Sequence, residues 1–481
     1  MLNSKNNLIS SLIWSVLEQG GARVISLLVQ LILARLLVPE VFGVMAILLV
    51  WMEIAHSLAQ SGFGSALIQK QDVDDLSFTT AFWISMALAT LIYALIFFSA
   101  PAIEAFYDMD SLAFYLRILS LVLFFECFNA IQRSYFQKKL NFKALFKVTT
   151  VAAVISGVIG VIAALWGLGI WALILQTLTQ SIVSCIILLI QVPWRPSFHF
   201  SKKEGKTLFS YGWKIGVTGI LNTLYNGSSE LILGRVCGAA YLGFYNQGRK
   251  WPNTAISWIS TSLQNFLFPA FAQIQNDIDS LRKAITKSIE IGSYVIVPSC
   301  FLMALLAEPL VAIFLSEKWL PSVPVFQLVC LENLCLMIQI VNLRAYMALG
   351  ASSVYLRLQL IKIAIGIVLI CGVAVLTQDI YLVALVACFF GNGKTIIDLF
   401  PAKKLYGLGF FKQFSIIVPI YLIALASCIP AIAIELLGFS YLAQLGLEVI
   451  TYLIVYIFLS KIFRLSGYKE IIGLIKELVK G

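Results

Sequence analysis

The stretch LARLLVPEVFGVMAILLVWMEIAHSLAQSGFG, Leu33 to Gly64, decides the fold. Two apolar runs are interrupted only by Pro39-Glu40, and the second run then carries Glu53 and His56. A helix needs about 20 apolar residues to cross the hydrocarbon core of a bilayer. Runs of that kind recur along the whole 481-residue chain. Hydrophobic residues make up 60% of it and charged residues 12%, against about 25% charged in a soluble domain. Mean hydropathy is +0.92. The polar surfaces that several soluble cores require are missing, and so is the apolar–polar alternation of a membrane β-barrel. The expected fold class is an all-α polytopic membrane protein.

Fourteen transmembrane helices are expected. They run over 10–37, 41–66, 78–100, 112–136, 146–166, 169–192, 206–234, 240–272, 284–307, 321–348, 353–377, 380–400, 412–435 and 441–463. The run after MLNSKNN is too long for the apolar core of a cleavable signal. With the N-terminus inside, one set of connections holds clusters such as Lys138, Lys139 and Lys143, Lys202, Lys203 and Lys206, and Lys403 and Lys404. The other set holds only Arg35, Arg117, Arg235 and Lys318, with acids such as Glu40, Asp108, Glu308 and Asp379. Cytoplasmic connections carry the excess of Lys and Arg, so both termini are expected in the cytoplasm. The net charge of +10 then reflects topology and anionic membrane lipid, not a nucleic-acid partner. No metal site or cofactor is expected: the nine cysteines lie mostly in apolar runs without a C-x-x-C, and the two histidines are far apart. The C-terminal GYKEIIGLIKELVKG reads either as an amphipathic helix on the membrane surface or as a solvated tail.

The opening phrase returns as LGRVCGAAYLGFYNQGRKWPNTAISWIS, Leu233 to Ser260. Arg35 and Arg235 are 200 residues apart, and Phe42-Gly43 matches Leu242-Gly243 at the same offset. Each phrase joins two long spans, so spans 1–6 and 7–12 form two parallel six-helix repeats, related by an axis along the membrane normal. The expected organisation is one lobe over 1–200, a second over 201–405, and two additional helices with a tail over 406–481. Two such lobes suit alternating access with a site near the midplane.

An ionisable residue at the centre of a membrane helix costs about 2.5–3.5 kcal/mol on insertion scales, and so faces protein or water. In span 1, Glu18, Gln19, Arg23 and Ser26 share a face; in span 2, Glu53, His56, Ser57 and Gln60 do. Span 7 carries Lys214, Thr218, Asn222 and Tyr225; span 8 carries Asn246, Arg249, Lys250, Asn253 and Ser257. Spans 3, 5, 6, 11 and 14 read as lipid-facing or packing helices. Spare Arg and Lys suit an anionic ligand, Arg through its planar fork and Lys as a point charge. The expected substrate-binding residues are Arg23, Lys214, Asn222, Arg249, Lys250 and Asn253. The competing reading is mutual pairing, with Glu18 or Glu53 neutralising Arg23 or Lys214. Glu18, Glu53, His56, Glu126 and Arg133 form a coupling or gating set. Glu53 and His56 read either as a hydrogen-bonded tether or as a proton relay. Glu126, Asn129 and Arg133 read either as a gate or as an anchored helix end. Lys362 is expected to snorkel to the interface. Gly212, Gly216 and Gly219 are expected to permit close packing, and Pro252 to bend span 8.

The phrases ARLLVPEVFG, SGFGSALIQK and LGRVCGAAYLGFYNQGRK resemble bacterial polysaccharide exporters. The resemblance is to lipopolysaccharide and exopolysaccharide biosynthesis proteins of the WzxC type, in the multidrug/oligosaccharidyl-lipid/polysaccharide flippase superfamily. It implies a multi-pass protein of the bacterial cytoplasmic membrane, not an enzyme. It would move an undecaprenyl-diphosphate-linked oligosaccharide from the inner to the outer leaflet, with membrane lipids and polysaccharide polymerase machinery as partners. It also implies that cavity cations hold the diphosphate, which points by position to Arg23, Arg249 and Lys250. Glu53 and His56 stand where some relatives have a cation. A multidrug or cation antiporter of the same superfamily is the first alternative; it predicts an acidic cavity and twelve spans. A membrane glycan polymerase or ligase is the second; it predicts a large outer loop. No P-loop is present, so ATP is not expected to drive the step.

Overall fold

The computed structural model describes Gly21 and residues 24–60, 63–69, 73–139, 141–470 and 472–473. Among them every regular element is helical. The first half holds α1 (Val24–Leu36), α2 (Pro39–Gln60), α3 (Phe63–Gln69), α4 (Asp75–Tyr107), α5 (Leu112–Leu119), α6 (Val122–Lys138), α7 (Phe142–Leu165), α8 (Ile170–Gln191), α9 (Lys202–Val236) and α10 (Ala239–Gln273). There follow α11 (Ile278–Leu305), α12 (Ala307–Leu310), α13 (Val323–Glu332), α14 (Leu336–Ala348), α15 (Ser352–Thr377), α16 (Ile380–Leu399), α17 (Ala402–Tyr406), α18 (Phe410–Glu435) and α19 (Tyr441–Ile462).

The described helices follow the order of the expected spans, of which ten or eleven are apolar enough to cross a membrane. Ten spans are long and apolar enough to cross a membrane, α5 and α6 counting together as one, and the bent pair α13–α14 adds an eleventh. The other three are α1, described from Val24 onward, and the 35-residue helices α9 and α10. α9 and α10 are long enough to span, but their polar stripe keeps them from reading as ordinary apolar spans. The chain is a multi-pass membrane protein, and its contacts divide it into compact units at 1–243 and 244–481.

In the first unit the repeated turns meet. A Cβ added to Gly43 would lie 1.8 Å from the carbonyl oxygen of Ala239, and one added to Gly243 would lie 2.1 Å from that of Pro39. Pro39 and Ala239, like Gly43 and Gly243, are 200 positions apart. The contact is therefore self-complementary, as a two-fold relation requires. Below it α9 packs along α2, with Gly227 against Val50 and Gly234 against Ile47. Gly219, expected to pack closely, has nothing within 4 Å of its added Cβ; Gly212 and Gly216 lie where side chains are not described. Phe63, Phe78, Phe82, Phe128, Phe136 and Trp194 form an aromatic core joining α3, α4 and α6 to the residues after α8.

In the second unit, polar side chains repair interrupted backbone, as a water-free interior demands. α13 and α14 meet at 44°. At that break the Asn392 amide donates to the Leu331 carbonyl and accepts from the Cys335 N–H. Pro298 in α11 cannot donate to the carbonyl of Tyr294, four residues back; the Tyr456 hydroxyl of α19 donates to it at 3.1 Å. The Tyr452 hydroxyl donates to the Pro298 carbonyl, also at 3.1 Å. Gln444, Glu448, Tyr452, Tyr456 and Ser460 are buried at four-residue spacing. Span 14, expected to be a lipid-facing or packing helix, packs through a polar ladder that faces protein. The expectation for Lys362 is corrected. It does not snorkel but pairs with Asp398 of α16 at 2.7 Å, both buried.

Candidate functional site

The first unit contains an open cavity of about 370 Å³, lined by both polar and apolar side chains. One wall is α2, where Leu49, Met52, Glu53, His56 and Ser57 line the space. Their spacing of three and four residues is a single helical face. α6 contributes Val122, Leu123, Glu126 and Arg133. α8 supplies Thr177, Gln180, Ser181 and Ser184, again at three- and four-residue steps, and α9 supplies Thr223. The apolar wall comes from Leu49, Met52, Val122 and Leu123, and the rest is polar.

Several of these groups are held in place by hydrogen bonds to one another or to a buried neighbour. The Ser181 hydroxyl donates to Glu126 Oε1. The amide of Asn129, fully buried, donates to the Ser181 carbonyl at 3.1 Å, which ties α6 to α8. The hydroxyls of Ser57 and Thr223 lie 3.2 Å apart and tie α2 to α9. His56 is within electrostatic reach of Glu126 and Arg133, and Glu53 of Glu230 on α9. The Nε of Arg133 is buried with no hydrogen-bond partner among the described residues. Such a cavity holds donors, acceptors and charges of both signs in a preset arrangement.

Of the expected coupling or gating set, the structure brings Glu53, His56, Glu126 and Arg133 together in one space. Glu18 lies outside the described residues, as does Arg23 of the substrate-binding set. Lys214 lies on α9 in a segment whose side chains are not described. Asn222 is exposed on α9. Arg249, Lys250 and Asn253 lie on the part of α10 that belongs to the second unit. There the Arg249 guanidinium donates to the Tyr245 hydroxyl at 3.1 Å and sits 5.4 Å from that ring's centroid. The α10 helix continues through Pro252 and Pro269. Span 6, expected to be a lipid-facing or packing helix, instead lends a polar face to the cavity. Its TLTQSIVS phrase puts four polar residues on one face, a signal diluted by the apolar residues between them.

Helices long and apolar enough to cross a membrane, with a cavity lined largely by polar side chains in the first unit, define a polytopic membrane protein. The profile of the polysaccharide biosynthesis protein family matches residues 32–324, more than half of the chain. The chain belongs to that family. It is 26% identical over 336 residues to the lipopolysaccharide biosynthesis protein WzxC of Escherichia coli (strain K12), covering 69% of this chain and 68% of that one. It is 25% identical over 320 residues to the succinoglycan biosynthesis transport protein ExoT of Rhizobium meliloti (strain 1021), covering 66% of this chain and 65% of ExoT. Its fold matches that of the lipid II flippase MurJ with a TM-score of 0.77 at 15% identity, over 96% of this chain and 100% of that one.

Proposed function

We propose that the protein is a flippase that moves a lipid-linked oligosaccharide across the bacterial cytoplasmic membrane for cell-surface polysaccharide synthesis. The observation that carries this reading is membership of the polysaccharide biosynthesis family in a chain whose helices line a cavity rich in polar side chains. Transport, not catalysis, is the activity. The substrate is an undecaprenyl-diphosphate-linked repeat unit, moved by alternating access of six-helix lobes 1–200 and 201–405, with 406–481 appended. Both termini face the cytoplasm. Arg23, Lys214, Arg249 and Lys250 neutralise the diphosphate, and Asn222 and Asn253 assist; Glu18, Glu53, His56, Glu126 and Arg133 serve coupling or gating. The antiporter alternative requires an acidic cavity, whereas Arg133 and His56 share this one with Glu53 and Glu126.

The test uses cells lacking the gene. Lipid-linked repeat units should accumulate in the inner leaflet while surface polysaccharide is lost, and the gene should reverse both. Restoration should fail with Arg249→Ala plus Lys250→Ala, although that protein still inserts. Unchanged surface glycan together with raised sensitivity to cationic drugs would instead establish the antiporter.

A further inference from the structure

We propose that the cavity of the first unit is a saccharide subsite, which receives one neutral sugar of the lipid-linked glycan. The inference rests on the flippase reading and adds the part of the substrate that this cavity takes.

The argument is one of chemical fit. A sugar presents hydroxyls around its edge, each both donor and acceptor, and C–H groups on its faces. It therefore asks for carboxylate and amide acceptors, charged or amide donors, and an apolar surface to lie against. Glu53 and Glu126 supply the acceptors, and Gln180 and Arg133 the donors. Met52 and Val122 supply apolar surface. The carboxylate of Glu126 is already oriented by Ser181, and Arg133 lines the same space. A polar group left unpaired when a ligand displaces its water costs about 1–3 kcal/mol, so a ligand that pairs with the lining groups is favoured over one that does not. The volume of about 370 Å³ falls within the ~300–1,000 Å³ usual for small-molecule sites.

Other ligand classes fit less well. A phosphate or diphosphate would face two carboxylates across the same space, and an organic cation would face Arg133 and His56. Among the described residues no group of three His, Cys, Asp or Glu side chains is placed to hold a metal ion. A neutral polyol meets no like charge and satisfies donors and acceptors together.

The experiment uses the full-length protein in lipid nanodiscs and two probes. One is the lipid-linked glycan isolated from cells lacking the gene; the other is undecaprenyl diphosphate without sugar. The wild type should bind the glycan-bearing lipid at least about tenfold more tightly, the equivalent of one well-made buried hydrogen bond. Thr177→Val with Gln180→Leu should bring that ratio close to one and leave the affinity for undecaprenyl diphosphate unchanged, which also shows that the variant is folded. Glu126→Gln should act in the same direction. Equal affinity of the wild type for the two lipids overturns the saccharide subsite and leaves the flippase standing. So does a variant that keeps the full ratio. Binding of neither lipid overturns the flippase reading itself.

Discussion

The paired glycine contact at the repeated turns makes a quantitative prediction. In Gly43→Ala the new Cβ falls 1.8 Å from the Ala239 carbonyl oxygen, where real Cβ contacts do not come below 3.0 Å. The obstacle is backbone, so no rotamer change relieves it; the start of α2 must move away from the start of α10. Overpacking of this kind costs about 1–3 kcal/mol, occasionally more. Alanine is the better helix former and returns about 0.5–1 kcal/mol. The net expectation is a loss of about 1–2 kcal/mol. Gly243→Ala meets the Pro39 carbonyl oxygen at 2.1 Å and should cost somewhat less. Because one separation of the helix starts relieves both clashes, the double variant should cost less than the two single losses together. The coupling should lie in the range of about 0.5–3 kcal/mol seen for touching residues. Gly219→Ala is the control: its added Cβ touches nothing within 4 Å, so it should be neutral or stabilising. Thermal unfolding of the detergent-solubilised protein, followed by size-exclusion of a fluorescent fusion, orders the four variants. Wild-type stability of Gly43→Ala, or strict additivity in the double variant, would refute the reciprocal contact.

Three further predictions come from other parts of the molecule. Lys362→Met leaves the carboxylate of Asp398 buried, with Lys394 as the other nearby cation; it should cost about 3 kcal/mol, the lower end of the range for breaking a buried pair. Adding Asp398→Leu should recover most of that loss, and an unfolding series in detergent reads both. Tyr456→Phe removes the donor to the Tyr294 carbonyl that Pro298 leaves open, at a cost of about 1–2 kcal/mol in the same assay. Tyr93→Phe, whose ring lies beside Phe97 and Phe124, should cost less. Asp277 caps α11 through Ser280 and Asp279, and the Ser280 hydrogen bonds hold its carboxyl below the ordinary carboxylate range. The cap therefore contributes at neutral pH and is lost as pH falls through the depressed value. Amide exchange in the first turn of α11 should accelerate in Asp277→Ala at pH 7 and differ little from wild type once the acid is protonated.

The fold was legible because membrane insertion is governed by local composition. The 200-residue spacing of Gly43 and Gly243 marked the repeat. That the two glycines face each other's turns was not legible, since sequence offset does not state which backbones touch. On α2, Glu53 and His56 stood out because a charge in an apolar run has to face protein or water. On α8, Thr177, Gln180, Ser181 and Ser184 have equally good spacing, but uncharged hydroxyls and amides do not depress hydropathy enough to be noticed. Lys362 was misread for a related reason. A lone lysine in a span has snorkelling as its cheapest exit when no partner is known, and Asp398 lies 36 positions away on another helix. The ladder on α19 escaped because tyrosine counts as apolar until its hydroxyl is given a partner.

The most direct test of transport is reconstitution. The purified protein is placed in liposomes with lipid-linked glycan labelled on its sugar, and the label accessible to an impermeant glycan-modifying reagent is followed in time. The account predicts that accessibility rises from the fraction in the outer leaflet toward the whole pool with wild-type protein. It predicts that Arg249→Ala plus Lys250→Ala stays at the level of protein-free liposomes. If wild-type protein leaves the inner pool protected while the liposomes are intact and the protein is folded, lipid-linked glycan is not what this protein moves.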